Sequence, residues 1–123
     1  MISLDTTNRK LQAFLSGAAA TTNPTVSVFF HDLLRQTKDD QSEYPRAPQF
    51  TVLAGTTETD VCAAPEQGTT RHIDGVQVFN ADTAAVTVTV CIDDSGTNRI
   101  LVKRQLQVGQ TLFYENGYGW DVV

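Results

Sequence analysis

The chain has 123 residues, of which 41% are hydrophobic and 19% charged, and its formal net charge is −5. This length suits a single domain with one core. The acidic charge, with Lys and Arg never clustered beyond pairs, argues against nucleic-acid binding, and the sequence has no run of about 18 apolar residues that could cross a membrane as a helix.

The N-terminal segment, residues 1–8, has no hydrophobic period and is rich in turn-forming residues. It is predicted to be an extended arm able to lie along a neighbouring subunit, with a frayed terminus as the alternative. Arg9 and Lys10, followed by a mainly apolar stretch at 11–20, loosely imitate a signal peptide. Asp5 before the basic pair, and polar residues within the stretch, argue against that interpretation, so we expect no secretory leader.

Two strands are predicted after this segment. Residues 9–16 place Leu11 and Leu15 on one face, although a helix would also accommodate their spacing. Residues 25–31 alternate in a way that is typical of a strand. The two segments are expected to form a hairpin with a long connection through the breaking residues at 17–24.

The stretch at 32–48 is the most polar part of the chain and contains two prolines. We therefore predict a long surface loop over these residues. Long loops in compact domains tend to be functional or to contact partners, so this loop is expected at a subunit contact.

Three further strands are predicted in the middle of the chain, at 49–54, 59–63 and 70–80. Glycines and a proline between them supply the turns. Asp74 and Gly75 within the third strand predict a β-bulge, because the apolar residues on either side of them differ in parity.

The strand at 85–92 has the clearest signal in the sequence. It places four β-branched residues on one face: Val86, Val88, Val90 and Ile92. We interpret it as the central strand, with its Val face in the core and its Thr face available to a sister subunit if nothing else covers it. The turn at 93–97 predicts a hairpin with a strand at 99–106, and a polar turn at 80–83 joins the central strand to the strand before it.

Short strands at 111–114 and 120–123 complete the chain. Eight to nine short strands separated by frequent turns predict an all-β fold. We expect one antiparallel β-sandwich or jelly-roll-like domain of about eight strands over residues 1–123, preceded by the arm. The lack of alternating strands and helices argues against an α/β fold.

The two cysteines, Cys62 and Cys91, are too few for a disulfide framework. Each lies in a predicted strand among apolar or Thr neighbours. This favours buried free thiols, and a single Cys62–Cys91 bridge stays open as the alternative.

No pattern of residues points to a reaction, and we predict no catalytic residue, no metal-binding residue and no cofactor. His31 and Asp32 are adjacent in a strand and therefore face opposite ways. Asp82, Asp93 and Asp94 lie in predicted turns, and we interpret them as turn formers rather than as a calcium site. We expect a protein that is not an enzyme.

Several segments carry a resemblance to a known group of proteins. They are Arg71-His72-Ile73, 76–79, 80–90, 93–97, Leu106, Gly109, Thr111-Leu112, Tyr114-Glu115 and Gly119-Trp120, with 4–7, 10–12 and 17–23 near the N-terminus. Together they resemble small virion proteins encoded by tailed bacteriophages, and only 33–44 diverge.

The resemblance implies a structural protein of the virion, most like the capsid decoration (cement) proteins. Such proteins commonly form trimers over junctions between major capsid protein subunits. It therefore implies a homo-oligomer, expected to be a trimer, that binds the major capsid protein at the capsid surface after synthesis in the host cytoplasm.

Two other functions stay open at this point. The first is a tail, collar or fibre component of the particle. The second is a carbohydrate-binding module that uses Tyr114, Tyr118 and Trp120, although core packing is the other interpretation of these aromatic residues.

Overall fold

The computed structural model describes residues 1–37 and 40–123, and the side chains within these ranges except those of 35–37 and 40–42. This part of the chain contains eleven strands and no helix. The strands are β1 (Ile2–Leu4), β2 (Arg9–Leu15), β3 (Thr25–Thr37), β4 (Asp40–Pro45), β5 (Gln49–Val52), β6 (Thr59–Cys62), β7 (Thr69–Phe79), β8 (Val86–Asp94), β9 (Thr97–Leu106), β10 (Thr111–Glu115) and β11 (Gly119–Val122).

The strands form two antiparallel sheets. In the large, seven-stranded sheet, β7 and β3 pair along their length, β10 and β1 flank β7, β4 and β5 flank β3, and β11 pairs with β10. The small sheet has the order β6-β2-β8-β9. The predicted all-β, antiparallel class is confirmed, and the arrangement is consistent with a β-sandwich.

The core follows from the period-two pattern of each strand. Apolar residues from both sheets form one buried cluster, which includes Val26 and Val28 of β3, Ile73, Val76 and Val78 of β7, Leu11, Ala13 and Leu15 of β2, and Val86, Val88 and Val90 of β8. Burying a side chain of this size stabilises the fold by roughly 1.5–3 kcal/mol.

The predicted central strand lies between β2 and β9 as β8. Its hairpin with β9 is confirmed, and both turn residues, Ser95 and Gly96, have positive φ (53° and 93°), as a two-residue type I′ turn requires. Its Val face is in the core. On its Thr face, Thr89 and Cys91 are buried by the same chain, whereas Thr87 is half-buried.

The predicted bulge in β7 is confirmed. Phe29 pairs with Gly75 and Phe30 pairs with Ile73, so Asp74 is the extra residue. The bulge lets apolar side chains on both sides of it reach the core.

The predicted arm at 1–8 is wrong over β1, which pairs with β7. Ile2 and Leu4 are 8% and 0% exposed, because the unpaired edge of β7 offers backbone partners while their side chains enter the core. The strand count is eleven rather than eight to nine since β1 and β4 add to the predicted set.

The predicted loop at 32–48 is also wrong over most of its length. β3 continues to Thr37 and pairs with β4, because the long β7 provides hydrogen-bond partners for β3 as far as Leu34. Lys38 and Asp39 lie outside the described residues. The predicted hairpin of 9–16 with 25–31 is wrong as well, since β2 belongs to the small sheet and β3 to the large one.

Connections between the two sheets meet at a buried polar pair, Asn80 and Asp82, which are 0% and 2% exposed. The Asn80 amide nitrogen donates to the carbonyl oxygens of Ala84 (3.1 Å) and Leu106 (3.0 Å), and its backbone N–H donates to the Gln110 carbonyl (2.9 Å). Asn80 therefore joins the β7–β8 connection to the β9–β10 connection.

Asp82 extends this network to the β2–β3 connection. Its carboxylate accepts hydrogen bonds from the backbone N–H groups of Ala20 (2.8 Å), Thr21 (2.9 Å), Thr22 (3.2 Å) and Thr83 (2.8 Å). Burial alone would raise the pKa of Asp82, but these bonds outweigh it and hold the pKa far below its usual value.

Leu4→Ala tests whether β1 belongs to the fold. Because Leu4 is fully buried, we expect a loss of roughly 2–5 kcal/mol in the free energy of unfolding, measured by urea denaturation. Met1→Ala, at a residue that is 80% exposed, is the control and should change stability by less than about 0.5 kcal/mol. Equal stability of the two variants would show that the segment is a free arm after all.

Acid tests the Asp82 network. Asp82 and Asp32 both have a folded pKa below the ordinary value, so their contribution is present above the unfolded pKa of about 3.9 and is lost as pH falls below it. The urea concentration at the unfolding midpoint of the wild type should decrease as the pH is lowered below about 4. In Asp82→Asn the midpoint should be lower at pH 7 and less dependent on pH, whereas Thr83→Ala, which keeps the donating backbone N–H, should behave as the wild type.

Candidate interaction surface

The outer face of the large sheet exposes several large apolar side chains. We call these residues the apolar face: Phe29 (37% exposed), Phe50 (65%), Val52 (63%), Phe79 (50%) and the partly exposed Phe113. They alternate with core residues along their strands, so period-two geometry turns them away from the core. Exposed apolar patches of this kind mark sites of interaction with other molecules.

Pairing in register brings these side chains together across four strands. Ser27 pairs with Phe50 on one side and with Gln77 on the other, and Gln77 pairs with Phe113. Phe50 and Phe113 therefore lie in one row across β5, β3, β7 and β10. Only the strand order creates this row, since its members come from distant parts of the sequence.

A depression of about 330 Å³, the Gly75 socket, lies within the apolar face. Phe29 and Phe113 stand at its sides, and Asp74 and Glu115 also line it. A Cβ atom on Gly75 would lie 3.3 Å from the Tyr114 carbonyl oxygen and 3.7 Å from a Phe29 ring carbon. The missing side chain keeps the depression open.

The outer face of the large sheet is acidic. Register places Glu43, Glu115 and Asp121 on it, and Asp74 of the bulge lines its socket. Among the side chains that the structure describes, this face has no Lys or Arg. Its charge therefore favours a cationic partner over an anionic one.

The two histidines meet on this face, although their sequence positions suggested no site. His31 and His72 are cross-strand partners with ring centroids 5.2 Å apart. His31 Nδ1 donates to the Asp74 carboxylate at 2.9 Å, and Ser3 Oγ lies 3.0 Å from His72 Nδ1. The Ser and the Asp contact different histidines, so these residues do not form a catalytic triad.

A buried ion group lies on the inner side of β3, around Asp32. Asp32 is 1% exposed and accepts hydrogen bonds from Arg71 Nε (2.8 Å) and Nη2 (3.0 Å) and from Arg46 Nε (2.9 Å). Burial raises the pKa of Asp32, but the two guanidinium groups outweigh this effect and lower it. Arg71 also donates to the Ala63 carbonyl and covers the Phe30 ring. Because the Asp32 oxygens are occupied by these two arginines, the group has a structural role. Its members are so far apart in the sequence that only the fold shows that they meet.

The three C-terminal aromatic residues do not form one exposed platform. Tyr114 is 5% exposed and belongs to the core, and Trp120 packs on it with ring centroids 5.1 Å apart. Tyr118 is 85% exposed and stands apart in a turn. This arrangement agrees with the core interpretation and removes the support for a sugar-binding surface.

The acidic turn residues are separated by the length of β8. Asp82 precedes β8, whereas Asp93 and Asp94 end it; Asp93 accepts the Gly96 N–H, and Asp94 pairs with Arg9 and Arg99. Among the side chains that the structure describes, no group of three or more His, Cys, Asp or Glu is placed to hold a metal ion. Residues 1–37 and 40–123 contain no helix that is long and apolar enough to span a membrane.

Cys62 and Cys91 are both free and buried. They pair with Leu11 and Gln12, which are successive residues of β2 and face opposite sides of the small sheet. The open alternative of a Cys62–Cys91 bridge is therefore wrong. Burial raises the pKa of each thiol to about 11, so neither is a reactive nucleophile near neutral pH.

The fold and the surface together define an all-β, two-sheet protein with an exposed aromatic face and an acidic charge. Comparisons of the chain with models of protein families, with curated proteins and with solved structures find no match.

Thiol labelling tests the placement of the cysteines. At pH 8 a maleimide should modify neither cysteine of the folded protein within minutes, and both should react at once in denaturant, because the folded thiols are buried and protonated. The count of labelled sites by mass spectrometry is the readout. Rapid labelling of Cys91 in the native state would contradict its burial.

Proposed function

We propose that the chain is a structural protein of a tailed-bacteriophage particle. It is a capsid decoration protein whose own fold is a jelly-roll-like β-sandwich. It binds the major capsid protein and bridges neighbouring subunits of the shell as a homotrimer. It is made in the host cytoplasm, acts on the capsid surface and is not an enzyme.

The apolar face is the observation that carries this proposal. Phe50, Val52 and Phe79 are each at least half exposed, and water around such side chains is released when a partner covers them. Aromatic side chains are enriched at protein interfaces and supply many of the residues that dominate binding energy. The face therefore supports a role in assembly with other protein surfaces.

The buried polar groups support a structural role in a different way. Asp32 and Asp82 are ionised groups whose oxygens are already occupied by guanidinium or backbone N–H donors of the same chain. Groups held in this way stabilise the fold and have no free capacity for substrate. The sequence resemblance to small virion proteins points to the same class of function.

A position in the tail, collar or fibre of the particle would use the same apolar face. The copy number of the chain per particle separates the two locations. Hundreds of copies would place the protein on the shell, and a dozen or fewer would place it in the tail or collar.

The double variant Phe50→Ser/Phe79→Ser tests the proposal. Both side chains are exposed, so the variant should unfold at nearly the wild-type urea concentration. Its affinity for expanded capsid shells that lack the protein should fall at least tenfold, about 1.4 kcal/mol, as measured by co-sedimentation. Tyr118→Ser removes an exposed aromatic side chain outside the apolar face and is the matched control. Wild-type affinity of the double variant would contradict the proposed role of this face.

A further inference from the structure

We propose that the Gly75 socket binds the Lys103 side chain of a second copy of this chain, whose β9 strand lies against the apolar face. The contact is front to back: the large sheet of one copy meets the outer strand of the small sheet of the next. The inference gives the apolar face a specific partner, and so it rests on the proposed role of that face in assembly.

The socket has the chemistry of a site for a Lys or Arg side chain. Phe29 and Phe113 offer ring surfaces for an aliphatic stem, and rings also attract a cation electrostatically. Asp74 and Glu115 place carboxylates beside the same depression. Glu115 forms no ion pair with any cation of the described part of the chain. Asp74 already accepts a hydrogen bond from His31, so a neutral or anionic guest would leave the Glu115 charge without a partner.

Strand β9 offers the matching surface. It is an edge strand of the small sheet and contains no carboxylate between Thr97 and Leu106. Lys103 and Arg104 are exposed and form no ion pair with any carboxylate whose side chain the structure describes. Ile100 is 64% exposed and faces the same side of the sheet as Lys103, since they pair with Cys91 and Thr89 respectively.

Edge lysines also occur simply because they discourage sheets from pairing edge to edge. That explanation accounts for Lys103, but it does not account for the exposed Ile100 on the same side. An apolar residue beside a cation matches the pattern of the apolar face, which combines Phe side chains with carboxylates.

The spacing of the two surfaces is similar, to within about one residue of a strand. At about 3.3 Å per residue, Ile100 and Lys103 lie about 10 Å apart, and Gly75 and Phe79 about 13 Å apart. A β9 strand laid along β7 can thus place Lys103 at the socket and Ile100 near Phe79.

The size of the face also suits a copy of the chain. Along the 11 residues of β7 the large sheet is four to five strands wide, and strands about 4.8 Å apart give a face of about 19–24 by 36 Å. This area is close to the roughly 800 Å² that each partner contributes to an interface of standard size.

Charge decides how the two copies are oriented. Two copies that met through their apolar faces would bring carboxylates against carboxylates, whereas a front-to-back contact brings β9 cations to them. The two surfaces lie on different sheets of one copy, so a front-to-back contact uses a different surface on each partner. Such contacts close into rings or continue as chains.

Charge reversal in the purified protein, without any capsid, tests the inference. The wild type should sediment at low ionic strength as a multiple of 13.4 kDa, and salt should weaken the association. Lys103→Glu and Glu115→Lys should each weaken it at least tenfold. The double variant Lys103→Glu/Glu115→Lys should recover it, and a mixture of the two single variants should associate more tightly than either does alone.

Glu66→Lys is the matched control for Glu115→Lys, because it makes the same change of charge at an exposed residue outside both surfaces. This variant should associate as the wild type does. Unfolding midpoints should be equal for all variants, since every substituted side chain is exposed. Association that is lost in Phe50→Ser/Phe79→Ser but unchanged in Lys103→Glu would overturn the front-to-back contact. Failure of the double charge reversal to restore association would overturn it too.

The two proposals fail separately. If the wild-type chain stays monomeric yet binds shells through Phe50 and Phe79, the proposed contact with a second copy is wrong and the proposed decoration function is supported. Rescue by charge reversal without any binding to shells would support the self-contact and overturn the decoration function.

Discussion

The buried pair of Asn80 and Asp82 is the constraint on which the rest of the structure depends. A two-sheet fold needs its connections held so that the sheets keep one relative position, and this pair joins three of them through side-chain and backbone hydrogen bonds. Leaving any of these buried groups without a partner would cost roughly 1–3 kcal/mol. The polar network therefore fixes how the connections run between the sheets, while the period-two apolar pattern of each strand decides which face is inside.

The outer face of the large sheet follows from that arrangement. Once the Val side chains of β3 and β7 are in the core, period-two geometry requires Phe29 and Phe79 to face outward. The bulge at Asp74 then sets a glycine between two Phe side chains, which produces a depression bordered by carboxylates. A local irregularity in one strand thus creates the most specific feature of the surface.

The distribution of charge gives the molecule two unlike sides. Carboxylates on the outer face of the large sheet have no Lys or Arg partner among the described side chains, and Lys103 and Arg104 of β9 have no described carboxylate partner. The carboxylates of the small sheet, in contrast, are paired with Lys10, Arg9 or Arg99. A uniform negative surface would favour repulsion between copies, but this polarity permits attraction in one orientation. The same polarity is compatible with a particle protein that contacts both its own copies and a shell.

The sequence by itself determined the all-β class, the β8–β9 hairpin, the bulge at Asp74 and the burial of the Val face, because these features depend on period-two patterns and turn residues over short distances. It misassigned β1 and most of 32–48, since a segment that is short or rich in polar residues forms an edge strand only when β7 or β3 supplies hydrogen-bond partners. The tertiary structure alone decided that Cys62 and Cys91 face opposite ways, that Tyr114 is in the core, and that the histidines and the Phe row come together. Those juxtapositions depend on strand order and register, which hydrogen bonds between distant segments specify and local composition does not.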